Sequence, residues 1–362
     1  MKRLLEIPEY CEDLAAVTTA NLPWHLLRGK TLLVSGATGL IGSFLVDVLH
    51  AKDLSCKVIV LGRSEKKAKA RFAEYLQENF LRFVKWDISS KDCPKIEGPV
   101  DYILHLASNT HPVAYATDPI GTITANVITL NNLLDFASRT ATSLDSSTGM
   151  SPRHPRFLFA SSNEIYGENR GDVELFGEEY CGFIDCNTLR AGYPESKRCG
   201  EALCQAYIRQ KGLDCVIARL TRTYGPTILP TDTKAISQFF RNACLGEDIV
   251  LKSEGKQYYS YQYVADSVSG LLTVLLRGET GAAYNIADES GDVTLRDLAS
   301  LIAAQSGRRV VFELPNATEA AGFSRATKAR LDGTRLRNLG WAPLYNIQTG
   351  VKRNFRILTM AN

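Results

Sequence analysis

Hydrophobic positions in the first two thirds of the chain form short unbroken runs, separated by longer segments of mixed polarity. KVIVLGR at 57–63 and RFLFASS at 156–162 are two such runs. Unbroken apolar runs of this length are typical of strands buried on both faces of a parallel sheet, with helices as connections. The pattern therefore predicts an α/β fold, a doubly wound parallel sheet. Its first six strands are expected near 30–35, 57–63, 81–88, 100–108, 156–162 and 213–220.

The regular alternation of strand and helix patterns ends near Thr221. Beyond it, short apolar runs such as DIVLKS, AAYNIAD and RVVFEL mix with helical patterns at 233–245, 264–277 and 294–306. This mixture predicts a smaller α+β region built on the end of the first domain. We therefore expect an N-terminal extension (1–29), a Rossmann domain (30–220) and a smaller C-terminal substrate-binding region (221–362).

Composition narrows the class of partner. Hydrophobic residues make up 45% of the 362 residues, charged residues 22%, and the net charge is +3. The low charge and the lack of long basic runs argue against nucleic acid as a partner. Apolar runs stay below the about 18 residues that a membrane span needs. Nine cysteines without a C-x-x-C pair predict reduced thiols in a cytoplasmic protein with no metal site.

A glycine-rich turn follows the first strand. Gly36, Gly39 and Gly42 form G-x-x-G-x-x-G between that strand and an amphipathic helix. A dinucleotide pyrophosphate needs backbone N–H donors at a helix N-terminus and no side chain in the way, and glycine serves both needs. The turn therefore predicts a nicotinamide dinucleotide site that includes Gly36, Thr38, Gly39, Leu40, Ile41 and Gly42.

The second and third strands end in polar residues that bear on the choice between NAD and NADP. Arg63 and Ser64 stand where an NAD fingerprint usually has an acidic residue. Arg63 could bind the 2′-phosphate of NADP, or it could stack on the adenine of NAD, and the sequence leaves both open. Asp87, with Ile88 beside it, is placed to accept a hydrogen bond from the adenine amine, or else to cap the next helix.

Tyr193 and Lys197 lie four residues apart in YPESK, which places them on one face of a predicted helix. Other short motifs in the chain make a catalytic role for this pair more specific. They are, in order, GATGLIG, HLAS, SSNEIYG, RTYGP, YSYQYVAD, YNIAD and LGW. This pattern resembles the extended short-chain dehydrogenase/reductase family of nucleotide-sugar epimerases, dehydratases and decarboxylases, over roughly residues 30 to 350. The stretch from HLAS onward is similar to UDP-glucuronate decarboxylases.

The resemblance implies roles for individual residues. Ser162 would orient a sugar hydroxyl, Tyr193 would take its proton, and Lys197 would assist Tyr193 and hold the ribose. A free phenol has a pKa of about 10, which a nearby ammonium and a positive nicotinamide would lower. The cofactor, NAD or NADP, would stay bound through the catalytic cycle. Further cofactor contacts are implied for Leu106, Ala107, Ser108 and Asn126.

Three reactions can follow oxidation at sugar carbon 4: epimerisation, dehydration and decarboxylation. Dehydratases that resemble this chain carry an Asp–Glu pair where it has Asn163 and Glu164. An amide cannot protonate a departing hydroxyl, so the usual 4,6-dehydration is disfavoured. Glu164 is kept in the similar decarboxylases and is a catalytic candidate. Its alternative is an ordinary surface carboxylate in a loop.

Two departures from the family bear on substrate binding. This chain has Arg222 where relatives commonly have Asn, and Tyr259 where they commonly have Arg. We expect Arg222 to clamp the diphosphate in place of the missing arginine. Alternatively, Arg222 pairs with Glu164 or another acid and never meets phosphate. Arg330 is a further phosphate candidate, with a solvated basic turn as the alternative.

Together these features predict a cytoplasmic homodimer that modifies a nucleotide sugar. The helices at 120–139 and around Tyr193 match those that form dimer interfaces in relatives. The expected reaction is oxidation at carbon 4 of a UDP-sugar, such as UDP-glucuronate, and then epimerisation or decarboxylation. The alternatives are a nucleotide-sugar 4,6-dehydratase and, from another class, a non-catalytic protein that senses NADP(H).

Overall fold

The computed structural model describes residues 3–87, 94–110, 112–140, 153–316, 320, 323 and 327–361. The strands are β1 Thr31–Ser35, β2 Lys57–Gly62, β3 Leu81–Lys85, β4 Tyr102–His105, β5 Arg156–Ser162, β6 Cys215–Leu220, β7 Arg222–Tyr224, β8 Ile249–Leu251, β9 Tyr258–Tyr263, β10 Ala283–Ile286, β11 Asp292–Thr294, β12 Val310–Phe312 and β13 Lys328–Ala329. The α-helices are α1 Pro8–Thr18, α2 Leu40–Ala51, α3 Glu65–Gln77, α4 Pro112–Thr117, α5 Pro119–Arg139, α6 Gly192–Lys211, α7 Ala235–Leu245, α8 Val264–Arg277, α9 Leu295–Ser306, α10 Thr334–Asn338 and α11 Ile347–Ala361.

The central sheet has seven strands in the order β10-β6-β5-β4-β1-β2-β3. Each neighbouring pair runs parallel. The middle residues of β1, β2 and β5 are fully buried, as expected of strands covered on both faces by helices. The chain reverses its direction of travel across the sheet between β1 and β4, which is where ligands bind in sheets of this kind.

The C-terminal part of the chain contributes to both parts of the fold. Its β10 pairs with β6 and forms one edge of the central sheet, so this sheet extends past the expected boundary at residue 220. Strand β9 lies in a small separate sheet, where it pairs with β7, β11 and β13. A short parallel pair, β8 with β12, completes the described strands. Residues after 220 therefore form the smaller region and also supply one strand of the central sheet.

The segment expected as an N-terminal extension contains α1, whose apolar side is buried. Tyr10 and Val17 are inaccessible to solvent, and so is the carboxylate of Asp13. Tyr263 donates a hydrogen bond to Asp13 over 2.6 Å, and the guanidinium of Arg353 does so over the same distance. The helix therefore ties β9 and α11 to the central domain. No helix within the described ranges is long and apolar enough to span a bilayer.

Candidate active site

The carboxyl ends of β1 and β4 meet at the switch point of the sheet. Ser35 and His105 are register partners there, and their side chains share a hydrogen bond of 2.7 Å. The backbone then turns from His105 into the HLAS loop, where the Leu106 N–H donates to the Ser35 carbonyl over 3.1 Å. Burial lowers the pKa of His105 to about 3, so this imidazole is neutral and serves as a hydrogen-bonded anchor.

The glycine turn packs closely against this loop. Gly36 has φ +76°, and a Cβ there would lie 2.6 Å from the Ala107 backbone nitrogen. A Cβ on Gly42 would lie 2.3 Å from the Gly36 carbonyl oxygen. Gly39 is the N-cap of α2, and within the described residues no side chain caps that helix. The turn thus offers backbone donors without side-chain obstruction, which fits a dinucleotide pyrophosphate.

Residues expected near the adenine lie at the outer ends of β2 and β3. Arg63 and Asp87 are exposed. The Ser64 hydroxyl accepts a hydrogen bond from the Lys67 N–H over 3.3 Å and so caps α3. Ile88 falls outside the described residues. Of the remaining turn residues, Thr38, Leu40 and Ile41 are half-buried beside the glycines.

A hydrogen-bonded chain connects the HLAS loop to the helix of Tyr193. Ser108 donates to the Asn126 side-chain oxygen over 2.7 Å, and the Asn126 amide donates to Ser196 over 2.9 Å. The Ser196 hydroxyl in turn donates to the Tyr193 carbonyl over 2.8 Å. Asn126 is inaccessible to solvent. Its amide therefore fixes the first turn of α6 relative to the loop beside the glycine turn.

Ser162, Tyr193 and Lys197 come together at the carboxyl end of β5. All three are buried, with Tyr193 at 7% exposure. The pKa of Tyr193 is raised from its ordinary value to about 12, mainly by burial and then by the Glu164 carboxylate. The hydroxyl of Ser162, the guanidinium of Arg190 and the hydroxyl of Tyr115 act in the opposite direction. Lys197, which was expected to lower the Tyr193 pKa, is not among the main groups that set it.

The position of Lys197 gives the physical reason. Its ammonium donates a hydrogen bond to the Ala160 carbonyl over 2.8 Å and lies 4.9 Å from the centre of the Phe159 ring. Its distance to the centre of the Tyr193 ring is 5.9 Å. Burial lowers the pKa of Lys197 to about 7. An ammonium with so low a pKa is a weak source of positive charge for its neighbour at neutral pH.

Glu164 lies beside these residues and is held by Arg190, which the sequence analysis did not single out. Arg190 Nη2 donates to both Glu164 carboxylate oxygens, over 2.8 and 2.6 Å. The Arg190 Cζ also lies 4.6 Å from the centre of the Tyr115 ring. That ring stacks on Tyr193 with centroids 4.9 Å apart. The spacing of Arg190 and Tyr193 in LRAGY was a usable local signal, whereas nothing in the sequence pointed to Tyr115.

Arg222 faces a pocket next to Glu164. This pocket is lined by Asn163, Glu164, Arg190, Pro194 and Arg222, among others. The Arg222 Cζ lies 3.4 Å from the centre of the Tyr259 ring, so the two residues that depart from the family pattern contact each other. Among the described residues, the buried Arg222 Nη1 and Asn163 Nδ2 have no hydrogen-bond partner. Glu164, the acid considered as a partner for Arg222, is paired with Arg190 instead.

Arg330 follows Ala329, which lines this pocket, but its own side chain is engaged by acids. It donates to the Glu174 carboxylate over 2.7 Å and lies 3.7 Å from that of Asp292. Its guanidinium also stacks over Tyr258, with 4.5 Å from Cζ to the ring centre. Arg330 thus connects β11 and β9 to the loop of Glu174. The phosphate-binding role expected for it has no support from these contacts.

Two relatives from different organisms match the chain over most of its length. UDP-glucuronic acid decarboxylase 2 of Arabidopsis thaliana is 30% identical over 345 residues, or 95% of this chain and 71% of that protein. UDP-glucuronic acid decarboxylase 1 of Xenopus tropicalis is 28% identical over 326 residues, or 90% of this chain and 71% of that protein. Both match the family resemblance drawn from the sequence.

Solved structures and a family model complete the comparison. The crystal structure of UDP-glucuronic acid 4-epimerase from Bacillus cereus, in complex with UDP-glucuronic acid and NAD, has a TM-score of 0.74 at 20% identity. The match covers 92% of this chain and 100% of that one, and it confirms the α/β fold. The model described as the NAD dependent epimerase/dehydratase family matches residues 32–287. This chain therefore belongs to the NAD dependent epimerase/dehydratase family.

Proposed function

We propose that this enzyme oxidises carbon 4 of UDP-glucuronate with NAD as cofactor and then releases the sugar carboxylate as carbon dioxide. The observation that carries the proposal is the buried grouping of Ser162 and Tyr193 with the Asn163–Glu164 pair, in which the Ser162 hydroxyl and the Glu164 carboxylate both act on the Tyr193 phenol. The similarity to UDP-glucuronic acid decarboxylases supports the choice of substrate. The family description supports NAD over NADP.

In the oxidation, Tyr193, Ser162 and Lys197 would each have a separate role. Bound NAD supplies a hydride acceptor. Tyr193, as phenolate, takes the proton of the carbon 4 hydroxyl, and Ser162 holds that hydroxyl in line. Burial raises the Tyr193 pKa, and a positive nicotinamide bound beside this phenol would lower it again. Lys197, whose ammonium donates to the Ala160 carbonyl, would hold the ribose.

Decarboxylation follows from the chemistry of the ketone. A carbonyl at carbon 4 makes the uronic acid a β-keto acid, so the bond between carbons 5 and 6 can break with its electron pair delocalised onto the ketone oxygen. The carbon 5 position then takes a proton, and return of the hydride to carbon 4 gives a UDP-pentose. Asn163 cannot protonate a departing hydroxyl, which disfavours dehydration. Glu164, held by Arg190, is the acidic side chain that suits proton exchange at carbon 5.

Product analysis tests this proposal. The purified enzyme is incubated with NAD and UDP-glucuronate, with UDP-glucose as a matched substrate that lacks the carboxylate, and the products are identified by mass spectrometry. We expect loss of carbon dioxide from UDP-glucuronate only. Unchanged mass with a new retention time means epimerisation, and loss of water means dehydration. No product from either sugar, with tight cofactor binding, favours the sensor alternative.

We propose Arg222 as the clamp for the substrate diphosphate. Its stacking on Tyr259 fixes the guanidinium plane, and its buried Nη1 keeps a donor for an anion. We expect Arg222→Asn to weaken UDP binding about 10- to 100-fold, the range for hydrogen bonds to charged groups. Calorimetric titration with UDP measures this, and Arg296→Asn on α9 is the control. Equal affinity in Arg222→Asn and the control rejects the clamp.

We also propose that the enzyme is a cytoplasmic homodimer paired through α5 and α6. Exposed apolar side chains on α5 support the pairing: Ile120 at 79%, Ile123 at 43% and Ile128 at 41%. The cysteines within the described ranges are all free thiols, in keeping with a reducing compartment. Light scattering should give the dimer mass for the wild type and the monomer mass for Ile123→Asp. Cell fractionation tests the compartment.

A further inference from the structure

Arg190, Tyr115 and Tyr193 form a column of stacked side chains from two segments of the chain. Tyr115 lies on α4, Arg190 precedes α6, and Tyr193 is in the first turn of α6. The Arg190 guanidinium lies 4.6 Å from the Tyr115 ring centre, and the Tyr115 and Tyr193 ring centres are 4.9 Å apart at 28° between planes. A guanidinium at the end of such a column places positive charge near the phenols while touching only one of them.

The same guanidinium anchors Glu164, whose charge acts on the Tyr193 phenol. Arg190 donates to both oxygens of Glu164, and the two side chains are only 11% and 19% exposed. Charges this far removed from water interact more strongly than surface pairs do. The position of Glu164, and the field it exerts on its surroundings, therefore depend on Arg190.

We propose that Arg190 is a positioning residue that tunes Tyr193 as a base, by holding Glu164, stacking on Tyr115 and countering the charge of Glu164 near the phenol. It does so without touching substrate in the proton transfer itself. The inference rests on the proposed function only in taking Tyr193 as the base of the reaction. It assigns a role to a residue that neither the glycine turn nor the Ser162–Tyr193–Lys197 set required.

The electrostatic balance around Tyr193 follows from the groups that face it. These are Glu164 after β5, Tyr115 on α4, Arg190 before α6, Lys197 within α6 and, beyond Tyr115, Arg222 on β7. Burial first and Glu164 second raise the pKa of Tyr193, and Arg190 lowers it. Removing the Arg190 charge leaves Glu164 uncompensated. The phenolate then becomes harder to form, and the pKa of Tyr193 must rise.

A tyrosinate titration on the NAD-loaded protein tests this without substrate. Absorbance of tyrosinate is followed against pH, and the same variant carrying Tyr193→Phe is subtracted to isolate Tyr193. We expect Arg190→Gln to raise the titration midpoint by about one pH unit, as for loss of a nearby opposite charge. Arg190→Lys keeps the charge and should stay near the wild type. Arg209→Gln removes an exposed guanidinium at the far end of α6 and should change nothing.

A second background keeps the test decisive if Arg190→Gln folds poorly. In Glu164→Gln no carboxylate is left unpaired, and the midpoint should fall. Adding Arg190→Gln to it should raise the midpoint again. An unchanged midpoint on loss of Arg190, in either background, overturns the proposal. A shifted midpoint in an enzyme that leaves UDP-glucuronate unchanged supports the role of Arg190 and rejects the proposed reaction instead.

Discussion

Two buried groups of side chains each contain one carboxylate, one arginine and two tyrosines, yet they differ in which polar atoms lack a hydrogen-bond partner. The Asp47 cluster (Asp47, Tyr10, Tyr75 and Arg71) fastens α1 and α3 to α2. Tyr10 and Arg71 both donate to Asp47, and Tyr75 donates to it over 3.0 Å. Asp47 itself is inaccessible to solvent. Each buried polar side-chain atom of this cluster has a partner.

The Glu164 cluster (Glu164, Arg190, Tyr115 and Tyr193) lies at the candidate active site. Here the buried Arg190 Nε lacks a hydrogen-bond partner among the described residues, as do two neighbouring donors, Arg222 Nη1 and Asn163 Nδ2. Unsatisfied buried donors cost stability, so a fold keeps them where another group uses them. Similar side chains are thus paired in the Asp47 cluster, whereas the Glu164 cluster and its neighbours leave buried donors without a partner among the described residues.

The largest expected effect separates catalysis from stability at the Glu164 cluster. Tyr193→Phe keeps the ring stacked on Tyr115 and removes the hydroxyl that would take the substrate proton. We expect turnover of UDP-glucuronate to fall about 10²- to 10⁴-fold, the usual contribution of a general base. Urea unfolding should give a free energy within about 1 kcal/mol of the wild type. Retained turnover in this variant would remove Tyr193 from the mechanism.

The corresponding change in the Asp47 cluster should affect stability and leave catalysis unchanged. Asp47→Ala leaves Arg71 and two buried phenols without their acceptor, and we expect the free energy of unfolding to drop by about 3–5 kcal/mol, as for broken buried ion pairs. Turnover at temperatures where the protein stays folded should be unchanged. Chemical denaturation measures the loss, with exposed Glu313→Ala as the control. A stable Asp47→Ala with low turnover would abolish the distinction between the two clusters.

Much of the fold could be predicted because its signals are local. The fifth strand, expected at 156–162, is β5 Arg156–Ser162, and the helix expected at 120–139 is α5 Pro119–Arg139. Apolar runs and helical spacing depend on neighbours in the chain. The placement of β10 beside β6 could not be predicted in this way, because it depends on a pairing between distant segments such as Ala283 with Ile217.

The same limit applies to the polar clusters. Glycines, Ser162, Tyr193 and Lys197 stand in short patterns that a reader of the sequence can recognise. Arg190 and Glu164 are 26 positions apart, and Tyr10 and Asp47 are 37 apart. No periodicity relates such positions, because only the folded sheet brings their segments together. For this reason the sequence left the role of residues 1–29 open and did not identify the partner of Glu164.

A smaller effect is expected from a single hydroxyl in the Asp47 cluster. Tyr75→Phe keeps the ring, which stacks on His50 with centroids 4.2 Å apart, and removes the hydrogen bond to Asp47. We expect the free energy of unfolding to fall by about 1.5–3 kcal/mol, the range for hydrogen bonds to charged groups. The pH dependence of turnover should not move. A moved pH profile would show that this cluster also acts on the active site.

The smallest expected effect is the matching change in the Glu164 cluster. Tyr115→Phe keeps the stacked ring but removes a hydroxyl that lowers the pKa of Tyr193. Because the phenolate is the active form, loss of that donor raises its pKa, and the rise of turnover with pH should move upward by roughly half a unit. The stability loss should be about 0.5–1.5 kcal/mol, since the lost bond joins two hydroxyls and no full charge. Steady-state rates across pH measure the shift, with Tyr75→Phe as the matched control. If Tyr115→Phe and Tyr75→Phe lower the free energy of unfolding equally and neither moves the pH profile of turnover, both clusters serve stability alone. The Glu164 cluster would then have no part in setting the pKa of Tyr193.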